Sequence, residues 1–174
     1  MLMLDSTIFT EVPPLRAMWA PIGEQACIAI TGDHDKRILT GVLNLKTGAY
    51  LQYFSEVFNQ DVFQNLLRVI RSHWRGWHLV LFLDRSKVHR AHRSRQLASR
   101  LGIEVRWLPK ACPELNAVDH LWRHLKQDVL ANEPLPNMDA TLKRAWSYLA
   151  NLSPRQRRQK AGVLSKSFWL ASVL

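Results

Sequence analysis

Residues 107–126 read WLPKACPELNAVDHLWRHLK. The stretch opens at the end of an apolar run, crosses a loop broken by Pro109 and Pro113, and then changes period. Val118, Leu121, Trp122 and Leu125 recur at helical spacing, and Val129 continues the stripe. This predicts a helix over 116–130 with one apolar face. Asn116 stands where a helix N-cap belongs. Asp119, three residues later, fits a capping box, and its charge suits the positive end of the helix dipole. What decides function is whether the Asp119 carboxylate is spent on that cap or is available to hold a cation. The two roles need not exclude each other.

Working outward, Ile103–Leu108 reads as the strand feeding this loop. His78–Leu83 (HLVLFL) is a continuous apolar run of the kind that forms a buried strand, and it stops at Asp84. Between the two strands, 88–101 predicts a very basic helix ending at Gly102. Further upstream, Val62, Phe63, Leu66, Leu67 and Ile70 mark another helix. Leu2–Phe9, Ala26–Thr31, Arg37–Leu45 and Tyr50–Phe54 read as strands, with a short hairpin arm at Arg16–Trp19. Gly32–Asp35 and Lys46-Thr47-Gly48 read as turns. Two smaller helices are expected at about 138–149 and 154–160. Hairpin-joined strands come first and helical crossovers follow. The expectation is an α/β domain, a mixed sheet flanked by helices. One domain spans 1–174 in this reading, with a core at about 1–131 and a helical extension at about 132–174.

The composition narrows the partners. Lys and Arg number 24 against 14 Asp and Glu, a net charge of +10 with seven Trp. That balance favours a polyanion, nucleic acid first and an anionic membrane surface second. No apolar run approaches the length of a membrane span. Two cysteines without metal-type spacing fit a reducing, cytoplasmic setting. The first residues, MLMLDSTIF, have neither the basic segment nor the cleavage site of a signal peptide.

Three acids fall at telling places. Asp5 interrupts the first apolar strand, Asp84 ends the buried strand, and Asp119 lies in the first turn of the helix at 116–130. Sites in open α/β sheets form at the carboxyl ends of central strands. An Asp among Leu residues is expensive to bury unless it is paired or bound to metal. Three carboxylates brought together call for a hard divalent cation such as Mg²⁺, which prefers oxygen ligands. Each also has a plainer reading: a helix cap for Asp119, a solvated strand end for Asp84, a surface residue of a terminal strand for Asp5. Glu114, beside Pro113, reads as structural or DNA-adjacent.

Thirty-four residues, 85–118, separate Asp84 from Asp119. With that spacing, LFLDRSKVH, WLPKACPELNAVDHLWRHLK and MLMLDSTIFTEVPPLRAMWAPIG resemble the catalytic domain of mariner-like insertion-sequence transposases, of the DDE/DDD superfamily. KAGVLSKSFWL resembles the tail of that domain. The resemblance covers almost the whole chain. It implies a ribonuclease H-like fold, with Asp5, Asp84 and Asp119 as catalytic ligands of two Mg²⁺ or Mn²⁺ ions. It implies DNA cleavage and strand transfer on element ends and target, and a homodimer. Relatives usually carry an N-terminal helix-turn-helix DNA-binding region. That region is expected to be absent from this chain, its task falling to a separate N-terminal DNA-binding chain. Arg85 stands where many relatives have Asn, Ser6 where many have Glu, and Ala117-Val118 where many have Pro-Ile or Pro-Val. A catalytically silent DNA-binding fragment and another ribonuclease H-like nuclease are the alternatives.

The stretch 85–100, RSKVHRAHRSRQLASR, is dense in cations and reads as a phosphate-contacting surface. Arg85, Lys87, His89, Arg90, Arg93 and Arg95 are its expected DNA contacts, with Lys110 and Lys126 near the acids. A solvated helix face is the plainer reading. The run RQRRQK at 155–160 invites the same two readings. His89 and His92, and His120 and His124, are paired at helical spacing. A third ligand with zinc spacing is missing, so zinc is a weak reading. No Gly-rich phosphate loop and no Ser or Cys nucleophile motif is found.

Overall fold

The computed structural model describes residues 1–29 and 35–174. Five strands form one sheet in the order β3-β2-β1-β4-β5. They are β1 (Leu2–Thr10), β2 (Lys36–Asn44), β3 (Tyr50–Ser55), β4 (Leu79–Leu83) and β5 (Ile103–Trp107). The first three are an antiparallel meander; β4 and β5 run parallel to β1. Six α-helices accompany them: α1 (Gln60–His73), α2 (Lys87–Arg90), α3 (His92–Arg100), α4 (Ala117–Leu125), α5 (Met138–Asn151) and α6 (Pro154–Lys160). A π-helical turn over Lys126–Leu130 extends α4. The expected mixed α/β architecture is the one observed.

Strand side chains alternate between two cores. Leu2, Leu4, Val42, Leu81 and Leu83 pack beneath α1 with Phe63, Leu66, Leu67 and Ile70. Met3, Leu39 and Leu43 face the other way, into α4, α5 and residues 161–170. By this parity Asp5 shares the face of Met3, the side that α4 covers. Residues 138–170 thus close the same core that α4 does.

The β2–β3 turn is built as its sequence predicts. Asn44 Oδ1 accepts the backbone N–H groups of Lys46 and Thr47, and Gly48 adopts φ 76°. A Cβ on Gly48 would fall 2.2 Å from the carbonyl oxygen of Pro154, so α6 can begin against this turn only if the residue is glycine.

Three expectations need correction. Arg16–Trp19 is no strand. Asn132 holds Arg16 instead, its Oδ1 accepting the Arg16 N–H (2.8 Å) and its Nδ2 donating to the Arg16 carbonyl (3.0 Å). Of the expected strand at 26–31, residues 26–29 lie outside the sheet. The remainder, and 32–34 of the expected turn, fall outside the described residues. The basic helix at 88–101 is broken at Ala91, whose backbone is extended (φ −54°, ψ 138°). On one continuous helix His89 and Ser94 would point about 140° apart. The break re-phases the chain so that both are buried.

Candidate active site

The first two acids meet because of register. β1 pairs with β4 only at Leu2↔Leu81 and Met3↔Phe82. Asp5 and Asp84 each lie two residues past the last of these rungs. β1 continues along β2 while β4 ends, and the two parallel strands part around a cavity of about 450 Å³. Asp5, Asp84 and Asp119 all line it, together with Asn116, Arg85, Arg90 and Lys110.

Asp119 arrives there through Asn116. The Asn116 Oδ1 accepts the Val118 N–H (3.1 Å) and so caps α4, while its Nδ2 donates to the Leu4 carbonyl (3.1 Å). One buried amide therefore fixes the start of α4 to the strand residue preceding Asp5. The expected capping box does not form, because the Asn116 N–H is already given to the Pro113 carbonyl (2.9 Å). The Asp119 carboxylate is left facing the cavity, 3.5 Å from an Arg123 nitrogen one turn on.

Beside Asp5 the sheet makes room for a ring. Gly41 of β2 lies opposite Asp5. A Cβ there would sit 2.8 Å from the Trp122 ring and 2.6 Å from the Tyr50 hydroxyl. Its absence lets the indole lie flat against the strand. The Trp122 N–H is buried close to Asp5, outside hydrogen-bond geometry and without another partner.

The electrostatics of the two strand acids differ in sign. Burial pushes the Asp5 carboxyl up to about 7, and the charges of Asp119 and Asp84 push the same way. The Ser6 N–H and the Trp122 indole oppose them weakly. Asp84 is held below the usual carboxylate range, first by the His89 ring. His89 Nδ1 donates to Asp84 Oδ1 at 2.6 Å, and the Ser86 N–H donates to the same oxygen at 3.0 Å. His89 is buried against Phe58 and Phe63, with centroid distances of 5.6 and 4.5 Å, and its Nε2 has no partner.

His89 therefore stands buried behind Asp84 rather than on the basic surface where the sequence put it. Lys126 is half-buried near Asp119 and Asp5: burial lowers its pKa and the two carboxylates oppose the shift. Lys110 lines the acid cavity, and Arg85 is braced by donating its Nε–H to the Leu108 carbonyl (3.1 Å). Lys87 and Arg95 line a neighbouring cavity, and Arg93, exposed on α3, lines neither. The run at 155–160 is occupied architecturally. Arg157 donates to the Leu149 and Ala150 carbonyls, Arg158 to that of Lys46, and Lys160 pairs with Asp128. His120 contacts the Glu114 carbonyl, whereas His124 approaches Asp128.

A like-charge cluster with one carboxyl held protonated is a set of oxygen donors that a hard divalent cation would relieve. As the side chains stand, no three His, Cys, Asp or Glu groups among the described residues are gathered closely enough to enclose an ion. Asp84 is held by His89, and Asp119 lies beside Arg123. Two contributors went unread in the sequence. Trp122 passed for one more member of an apolar stripe. Trp107 passed for a strand residue, although it pairs with Leu83, the neighbour of Asp84.

An antiparallel meander extended by two parallel strands, with helices on both faces, is a ribonuclease H-like fold. The chain belongs to the DDE superfamily endonucleases, whose family model matches residues 1–142. It is 24% identical over 144 residues to the insertion element IS630 uncharacterized 39 kDa protein of Shigella sonnei, covering 82% of this chain and 42% of that protein. In fold it is similar to the mariner Mos1 paired-end complex with Mg (TM-score 0.75, 18% identity, 99% of this chain and 54% of that one). It is similar also to the catalytic domain of Mos1 mariner transposase (TM-score 0.66, 17% identity, 94% and 76%). The chain spans about half the length of the longer relatives it matches.

Proposed function

We propose that the chain is the catalytic domain of a transposase that cuts and joins DNA strands. Asp5, Asp84 and Asp119 would hold Mg²⁺ or Mn²⁺. The observation that carries this reading is the convergence of three carboxylates from β1, the end of β4 and α4 on one cavity, with Asp5 raised by burial first and then by the charges of the other two. A bound divalent ion supplies Lewis-acid activation of the attacking oxygen and neutralises charge at the phosphate. The chain's own groups position and screen. Arg85, Arg90 and Lys110 offer cations to the sugar–phosphate backbone at the cavity wall. Lys126 balances Asp119 and Asp5 from behind.

Residues 1–174 act in this reading as one catalytic domain on element ends and target DNA. The pairing of two ends named for Mos1 supports a homodimer. Recognition of end sequence would come from a separate N-terminal DNA-binding chain. Neither Cys27 nor Cys112 is in a disulfide, which suits a reducing cytoplasm. No helix of the described residues is long and apolar enough to cross a membrane.

Nicking of supercoiled plasmid tests the reading. With Mg²⁺ or Mn²⁺ the wild type is expected to nick. Asp119→Ala, folded by circular dichroism, should lose about 100-fold or more, beyond the loss typical of groups that merely support metal ligands. Equal nicking by the folded variant would overturn the assignment.

A further inference from the structure

Next to the acid cavity lies a second one of about 440 Å³, lined by Arg85, Lys87, Arg90, Ala91, Arg95 and Trp107. Its volume is within the roughly 300–1,000 Å³ that small-ligand sites occupy. Four of its six walls are cations. None of the four reaches a carboxylate in any ion pair among the described residues. Like charges converging without a counter-charge repel one another, and an anion entering the cavity would remove that cost. Arg85 is already braced on the Leu108 carbonyl, so its guanidinium meets a ligand with little ordering left to do. The sixth wall that matters is aromatic. Trp107 is the last residue of β5, half-buried, with part of its ring packed into the core beneath α1 and part lining the cavity. The break at Ala91 turns Arg90 and Arg95, from two separate helices, toward that ring.

Cations for a phosphate and a fixed aromatic face for a base are the two parts of a single-strand nucleotide site. The two cavities share Arg85 and Arg90. A strand whose phosphate rests among the carboxylates would place an adjoining nucleotide here. A base still paired and stacked in a duplex offers no face to an indole. We propose that this cavity binds one unpaired nucleotide of the DNA strand being processed, its base stacked on Trp107 and its phosphate on Arg90 and Arg95. The inference rests on the DNA reading above and adds a preference to it: the protein favours a duplex with an unpaired end over a blunt one.

Fluorescence anisotropy tests this, using a short blunt DNA duplex and the same duplex extended by a few unpaired 5′ nucleotides. One unpaired position carries 2-aminopurine, whose emission is quenched on stacking. The wild type is expected to bind the extended duplex about tenfold more tightly, the value of one base–aromatic stack, and to quench the 2-aminopurine. Trp107→Leu should lose both the preference and the quench, and leave blunt-duplex affinity unchanged. Trp107→Phe, which fills more of the same core, should keep most of each. Arg95→Gln should weaken the extended duplex more than the blunt one. Equal binding of both duplexes by the wild type would overturn the pocket and leave the DNA reading intact, as would a preference that survives in Trp107→Leu. Failure to bind either duplex would overturn both.

Discussion

The two strands that frame the acid cavity carry the same residue type at matching register, Asp5 within β1 and Asp84 just past the end of β4, yet they treat it in opposite ways. On the β1 side Asp5 lies largely out of water between the sheet, Trp122 and the cavity and receives little hydrogen bonding, so its carboxyl is pushed up to about 7. At the β4 end Asp84 has 57% of its side chain exposed and accepts bonds from His89 and Ser86, so it stays ionised. Burial decides the first case and hydrogen bonding the second. The difference divides the labour of the site. Asp84 is a standing anion held by His89, and Asp5 would become a second one if a bound cation displaced its proton.

Among the changes that test this difference, the largest expected effect comes from removing the brace on Asp84. His89→Ala should weaken Mg²⁺-dependent nicking and Mg²⁺ affinity by about 10- to 100-fold, as loss of an orienting partner does at other metal sites. Titration calorimetry with Mg²⁺ would show it, and an unchanged affinity in a folded variant would make the two acids equivalent after all. On the Asp5 side, Gly41→Ala forces a methyl group into the Trp122 ring. Overpacking of this kind should cost about 1–3 kcal/mol, read from urea unfolding.

Asn116→Ala removes the helix cap and the partner of the Leu4 carbonyl together. It should cost about 1–2 kcal/mol by the same measurement.

A pH-dependent effect follows from the Asp5 proton. Without metal, the folded protein keeps that proton to about pH 7, while the unfolded chain releases it near the ordinary value of 3.8. Stability therefore falls as pH rises between those values, and above them the penalty is complete. Asp5→Asn should raise the metal-free Tm by several degrees at alkaline pH. It should leave Tm unchanged at a pH below the ordinary Asp value, where both states are protonated. A gain that persists in acid would show that charge is not the cause.

Much of this was legible in the chain. The period switch after Tyr50–Phe54 marked where hairpins give way to crossovers, and the apolar run stopping at Asp84 marked a buried strand and its functional end. The position of Asn116 gave the start of α4. What the sequence did not carry was set by contacts between distant residues. The inward turn of His89 depends on Phe58 and Phe63 of other elements, and nothing local to RSKVHR announces it. The capping box failed because Pro113 had already taken the Asn116 N–H. The cations of 155–160 look like a nucleic-acid run until the carbonyls of Leu149 and Ala150 are seen within their reach. Residues 16–19 and 26–29 have strand-like composition, but Asn132 holds Arg16, and among the described residues neither stretch joins the sheet.

The Asn116–Leu4 hydrogen bond joins residues 112 positions apart. On the ribosome, β1 emerges first and must wait for α4, so a nascent chain displays Asp5 long before it can display a site. Contacts of such separation also form slowly. A chain cut short between β5 and α4 would still carry the residues of the meander and of the basic helices. It would keep its affinity for polyanions while lacking the third carboxylate, and any DNA it held would go unbroken.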